Sequence, residues 1–351
     1  MAGGSPGGSV KRIHWGGPRA WIVSAALVLA VAVIGVIAVD RAAVGSSPAA
    51  QGGPFANEVA SVGQVVPASA GSWQVAWVTP SVQLAGVAAF DPSHVWVAGS
   101  DGLLYAWDGT GWTVRRLDDD ITAMAAVNQR DAWVSSDDGI RHLSGSTWSL
   151  TSHDGTVTAL AALDPTHAWA TAASGVLAWN GSRWSLAYAA RGTHLDAVYA
   201  LDASHAWAVG TLPDGGGVVV AWNGSEWSLQ ASVPVALSAV YAADARHAWA
   251  VSPEGSIYAW NGTVWQLETD LHQQLTAVAG TDAAHVWAST ASGEVLARDG
   301  SSWDVIYHAP TTVTGLAPLD PANVWAIGFD TVYATQASGS STQAVYNVPG
   351  F

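Results

Sequence analysis

One pattern constrains this chain more than any other: from residue 71 onward it repeats itself seven times. The marker Asp-x-x-(His, Asp or Asn)-(Val or Ala)-Trp, with Asn128 in place of the Asp in the second copy, recurs with its tryptophan at 96, 133, 169, 207, 249, 287 and 325, at spacings of 37, 36, 38, 42, 38 and 38 residues. Nine positions ahead of each tryptophan stands an apolar residue: Val87, Met124, Leu160, Val198, Val240, Val278 and Leu316. A second tryptophan follows 15 to 20 residues later, at 112, 148, 184, 227, 265 and 303. A period of this length marks one supersecondary unit, copied, whose members bury each other's apolar faces.

Each unit holds four short runs of β-branched, aromatic and small apolar residues separated by turn signals. In the fifth copy the runs are Leu237 to Ala242, Ala248 to Ser252, Ser256 to Trp260 and Val264 to Glu268. Between the third and fourth runs lies Asn-Gly or Asp-Gly, beginning at Asp108, Asn180, Asn223, Asn261 and Asp299, a dipeptide that suits the tight turn of a hairpin. Four antiparallel strands per unit of about 38 residues predict a propeller blade. The expected fold is therefore all-β, a seven-bladed β-propeller, and a single N-terminal transmembrane helix is expected ahead of it. An open ring would leave an unpaired edge. Residues 72 to 79 read as a fourth strand without its blade, with Trp73 in the place of Trp303, and the last unit has only three runs. The N-terminal strand is thus the preferred closure, and Gln343 to Val348 is the competitor.

The string Trp-Asn-Gly-Ser-x-Trp at 179–184 and 222–227 resembles a degenerate Asp-box turn of the sialidase and photosystem assembly-factor propellers. The run Val-Trp-Ala followed by Gly-x-(Ile or Val)-(Tyr or Leu) and Gly-x-x-Trp is similar to tectonin repeats. These resemblances cover residues 72 to 335 and imply a blade, not an activity. Sialidase chemistry needs several arginines converging on a carboxylate, whereas Arg115, Arg116, Arg130, Arg141, Arg183, Arg191, Arg246 and Arg298 are scattered along the repeats.

Ahead of the repeats, Ala20 to Val39 is an apolar run of 20 residues, one hydrocarbon core in length as a helix, with Lys11, Arg12 and Arg19 before it. The positive-inside rule predicts a cytoplasmic tail (1–19), a signal anchor (20–39), a linker rich in Ala, Gly, Ser and Pro (40–70) and an external propeller (71–351). A cleaved secretory signal is the alternative. The chain has no cysteine, which excludes disulfide scaffolds and thiolate metal sites. Of its 12 basic residues four lie at or before Arg41, leaving eight arginines against 26 acids once Asp40 is set aside from the 27. Such a surface repels phosphate backbones, so nucleic acid is not an expected partner. An acidic, cysteine-free ectodomain suits a bacterial envelope.

Function is sought where the repeat breaks. His94, His167, His205, His247 and His285 occupy one repeated place and read as turn closures rather than as metal ligands. The asparagines of the Asn-Gly-Ser/Thr sequons read as turn residues for the same reason. In a propeller the connection between blades faces the same side as the loop between strands two and three, and on that side the loops differ. They carry Asp118, Asp119, Asp120, His153, Asp154, Arg191, His194, Asp196, Asp270, His272 and His308, the candidate ligand-binding residues. Asp118 to Asp120 and the Asp137, Asp138 pair offer carboxylates to a divalent cation, but adjacent acids alone predict no metal site. No catalytic residue, cofactor or metal is assigned. The expected function is a monomeric, membrane-anchored binding module for an extracytoplasmic protein or glycan. The alternatives are an envelope assembly factor and, behind it, a propeller hydrolase.

Overall fold

The computed structural model describes residues 73–79, 82–117, 120–151 and 156–335. The apolar run, the linker and the competing strand at 343–348 lie outside the described residues, and no helix among the described residues is long and apolar enough to cross a membrane. Seven four-stranded antiparallel sheets, each in sequential order, form blades at 84–116, 123–151, 157–189, 194–233, 239–270, 275–308 and 313–335. The seventh takes its fourth strand from the N-terminus: Trp73–Val78 pairs with Thr331–Thr335, with Trp73 opposite Thr335. Trp184 faces Trp179 at the same register position in blade three, so the N-terminal segment completes the ring as a true outer strand. The preferred closure is the one found.

Within a blade the strands depart from the expected bounds by one or two residues. In blade five they run Ala239–Asp244, His247–Val251, Ser256–Trp260 and Trp265–Asp270. The first ladder reaches the turn itself because Asp244 faces His247.

Packing between blades is built on the repeated indoles. None of the seven second-strand tryptophans is more than 6% exposed. An indole N–H buried without an acceptor costs about 1–3 kcal/mol, and the position three residues after the fourth-strand tryptophan answers this. Gln230 Oε1 accepts from Trp207 of its own blade at 3.1 Å and from Trp265 of the next at 2.7 Å. Glu268 Oε2 does the same for Trp249 at 3.2 Å and Trp303 at 3.1 Å. Thr151 accepts from Trp184 at 3.1 Å. In blade three that position is Ala187, and the buried Trp227 Nε1 has no partner.

Two breaks in the repeat serve this packing. Arg298 stands where blades one, three, four and five place the last tryptophan of the third strand. Its side chain reproduces the indole's bond to the first turn, donating to Ala283 O as Trp260 does to Ala245 O. It also donates twice to Glu268 Oε1 and lies over Trp249. In blade two His142 replaces an alanine opposite Trp133, stacks on that indole and holds the buried carboxylate of Asp131 at 3.0 Å.

At the closure, Trp73, the tryptophan singled out in the sequence, is only half-buried and stacks on Tyr307 of blade six. The fully buried plug is Trp77, stacked on Trp112 of blade one at 4.9 Å between ring centroids. Trp77→Ala is therefore expected to cost about 3–5 kcal/mol in urea unfolding, and Trp73→Ala clearly less. Ala187→Gln should raise stability by about 1 kcal/mol by giving Trp227 the acceptor that Gln230 gives Trp265. No gain in unfolding midpoint would show that Trp227 needs none.

Candidate functional site

The two faces of the ring are built by different rules. On one face, the turn between strands one and two is closed by a repeated pair: His Nδ1 meets the carboxylate three residues earlier at 2.8–2.9 Å in Asp91/His94, Asp164/His167, Asp202/His205, Asp244/His247 and Asp282/His285. Asn323 donates to Asp320 in the same way at 2.8 Å. Burial pushes the carboxyls of Asp91, Asp164, Asp244 and Asp282 up. Hydrogen bonds from the turn and the imidazole outweigh it and hold them below the usual range. Beside these turns lie the Asn-Gly hairpins. Asn180 Oδ1 accepts from Ser182 N, Ser182 Oγ and Arg183 N, while Gly181 takes φ +89°. Asn223 and Asn261 do the same, and Asp108 forms the equivalent turn without a sequon. The repeated histidines and asparagines are thus held within local turns.

The other face holds the variable loops. In four blades the chain leaving the fourth strand bonds to the loop between strands two and three of its own blade: Leu117 N to Gly102 O at 2.7 Å, Ala190 N to Ser174 O at 3.1 Å, Leu271 N to Gly255 O at 2.9 Å and Ala309 N to Gly293 O at 2.7 Å. Blade four carries the one long spacing of the repeat here, as an extension at Leu212 to Gly216. The three described non-glycine residues with positive φ, Asp101, Arg191 and His272, all lie in these loops.

Among the candidate residues, Asp118, Asp119, His153 and Asp154 fall outside the described residues. Asp120 accepts from the backbone N–H of Asp101. Asp270 ends a fourth strand and meets His272 Nδ1 at 3.1 Å, with His272 84% exposed. His308 ends the next fourth strand, 3.6 Å from Glu294. Arg191 is an exposed turn residue. These groups sit on different blades around the face, and among the described residues no three His, Asp or Glu side chains gather to hold a metal ion.

Two further candidates open a strand rather than a loop. His194 and Asp196 begin the first strand of blade four, and Asp196 is only 7% exposed. It falls at a β-bulge between Leu195 and Ala197, which turns its side chain out of the ladder's alternation. Its Oδ1 lies 3.1 Å from His194 Nε2, and Thr211 Oγ1 donates to Oδ2 at 3.4 Å. Burial pushes its carboxyl up to about 6, against the opposing pull of His194 and the Thr211 hydrogen bond. Sequence reasoning took this residue for a solvated loop acid because the bulge is a pairing feature. Glu294 and Thr211, which complete these pairs, were missed because both lie within strand runs.

The fold and this face define the class of protein: a seven-bladed β-propeller. No protein-family model and no curated protein matches the sequence. Solved structures do match. The chain is similar to "YCF48 from Cyanidioschyzon merolae" at 19% identity and TM-score 0.61, over 76% of this chain and 99% of that one. It is similar to "YCF48 bound to D1 peptide" at 15% identity and TM-score 0.62, over 79% and 98%. The "WD40 beta propeller domain of Doa1" matches at 11% identity and TM-score 0.61, over 75% and 96%. The likeness is one of fold, and it agrees with the repeat-level resemblance.

Asp196 has a pH signature of its own. A group whose folded pKa lies above its unfolded value of 3.8 favours the fold at low pH and loses that contribution as pH rises through about 6. Between pH 5 and pH 8, wild type should therefore lose stability relative to Asp196→Thr, by an amount on the order of 1 kcal/mol. Parallel stability curves for the two proteins would contradict the raised pKa.

Proposed function

We propose that the chain is a membrane-anchored, extracytoplasmic binding module that holds a protein partner on the variable-loop face of its propeller. The observation that carries this reading is the segregation of the ring. One face consists of near-identical, internally satisfied turns. The other presents non-identical polar loops on the same rigid scaffold, where binding usually resides. Likeness to a propeller recorded with a bound peptide supports a protein partner over a glycan. The described arginines are dispersed, with Arg298 and Arg141 engaged by carboxylates, which disfavours the hydrolase alternative. An assembly factor in the cell envelope is the finer form of the same reading, following the resemblance to the photosystem assembly propellers.

Photo-crosslinking in intact membranes tests it. A crosslinking residue at Asp214 or Glu254, both exposed on the loop face, should capture one defined protein. The same residue at Glu226 or Arg246, exposed on the turn face, should capture none. Equal capture from both faces, or glycan alone from the loop face, would contradict the proposal. Protease added to intact cells should remove the propeller, and protection until the membrane is breached would reverse the orientation.

A further inference from the structure

The register of the seven first strands shows what is unusual about Asp196. The equivalent position is Thr122, Thr158, Ser238, Thr276 and Thr314 in five other blades and Ala85 in the remaining one. In all five the hydroxyl donates to backbone carbonyls. Thr122 reaches Ser135 O, Thr158 reaches Thr171 O at 3.1 Å and, in the next blade, Leu195 O at 2.7 Å, and Ser238 reaches Val251 O. Thr276 reaches Val313 O of the next blade, and Thr314 reaches Ile327 O. The slot is therefore lined by acceptors: the carbonyl of the second strand and that of the following blade. In blade four the corresponding carbonyls belong to Val209 and Leu237.

An ionised carboxylate has no proton to give them. Asp196 thus puts a charged acceptor at the register position where five other blades place a donor, nine-tenths removed from water. A buried charge is costly unless it is paired, and among the described residues the titratable side chain facing this one is His194, itself 56% exposed. The neighbouring groups on the second strand and its loop are Thr211, which donates weakly, and the 212–216 extension, whose Pro213 lies over Gly192. A buried carboxylate held by one exposed imidazole and one long hydroxyl contact, at the register position where other blades face carbonyls, is left with charge that a cation completes.

We propose that Asp196 is the anchor for a lysine or arginine side chain of the partner, inserted at the mouth of the ring between blades four and five. This rests on the loop face being a protein-binding face. A flexible basic side chain suits this position better than a metal ion, because among the described residues only one carboxylate is present and no third ligating side chain joins it. The chain's net charge of −15 favours the approach of a basic segment.

The test pans a phage-displayed random-peptide library on the full-length protein in detergent at physiological salt. Selected peptides are then measured against Asp196→Thr, which restores the hydroxyl of the other blades, and Asp196→Asn as a second folded variant. Asp304→Thr makes the same change of charge on an exposed outer strand. Support would be peptides sharing a Lys or Arg, bound about tenfold or more weakly by both Asp196 variants, nearly unchanged by Asp304→Thr and insensitive to a chelator. Peptides indifferent to Asp196, equally weakened by Asp304→Thr, or lost on chelation would overturn the anchor while leaving the binding face intact. Enrichment of no peptide at all would overturn both.

Discussion

Everything in this molecule depends on sheets packing face to face around a closed ring. A single four-stranded blade has two apolar faces and no layer of its own to cover them, so each blade is stable only between two others. The buried tryptophans are the largest side chains in that contact, and their N–H groups create the accompanying problem of burying donors. Gln230, Glu268 and Thr151 solve it by placing one acceptor where indoles of a neighbouring blade arrive. The ring then closes by strand exchange between its ends. Because the N-terminal strand pairs with Thr331–Thr335, blades six, seven and one are held by residues some 250 positions apart, and Trp77 seals the seam.

Exact repetition would give a symmetric object with no reason to prefer one partner or one side. The departures from symmetry are therefore the informative residues, and they divide by what they touch. Arg298 and His142 break the pattern but are absorbed by packing, each against a carboxylate and an indole. The blade-four extension, Arg191, His194 and Asp196 break it on the loop face, and there the compensation is incomplete: a buried carboxylate faces one imidazole and a distant hydroxyl. A rigid ring can carry that local cost because the opposite face locks its turns so thoroughly, with Asp-His pairs and asparagine caps repeated from blade to blade.

The fold was legible in the sequence to an unusual degree because copying multiplies a weak signal. One unit with alternating apolar residues and an Asn-Gly turn predicts a hairpin; seven in register predict blades, their number and the closing strand. The turn role of His205 or Asn223 was legible for the same reason, since a residue repeated around a ring cannot serve one site. The site was less legible. Asp270 and His272 were recognisable as polar breaks near a strand end, but Asp196 looked the same in sequence and is buried.

The sequence by itself determined the period, the strand count, the local turn chemistry and which tryptophan pairs each unit carries, because these follow from residue spacing and short-range hydrogen bonds. Only the tertiary structure decided that Trp77 rather than Trp73 plugs the seam, that Gln230 and Glu268 serve indoles of two blades, and that Asp196 occupies a hydroxyl's place. Those outcomes depend on register between strands and on contact between blades, where a one-residue bulge turns a side chain from solvent into the slot between sheets.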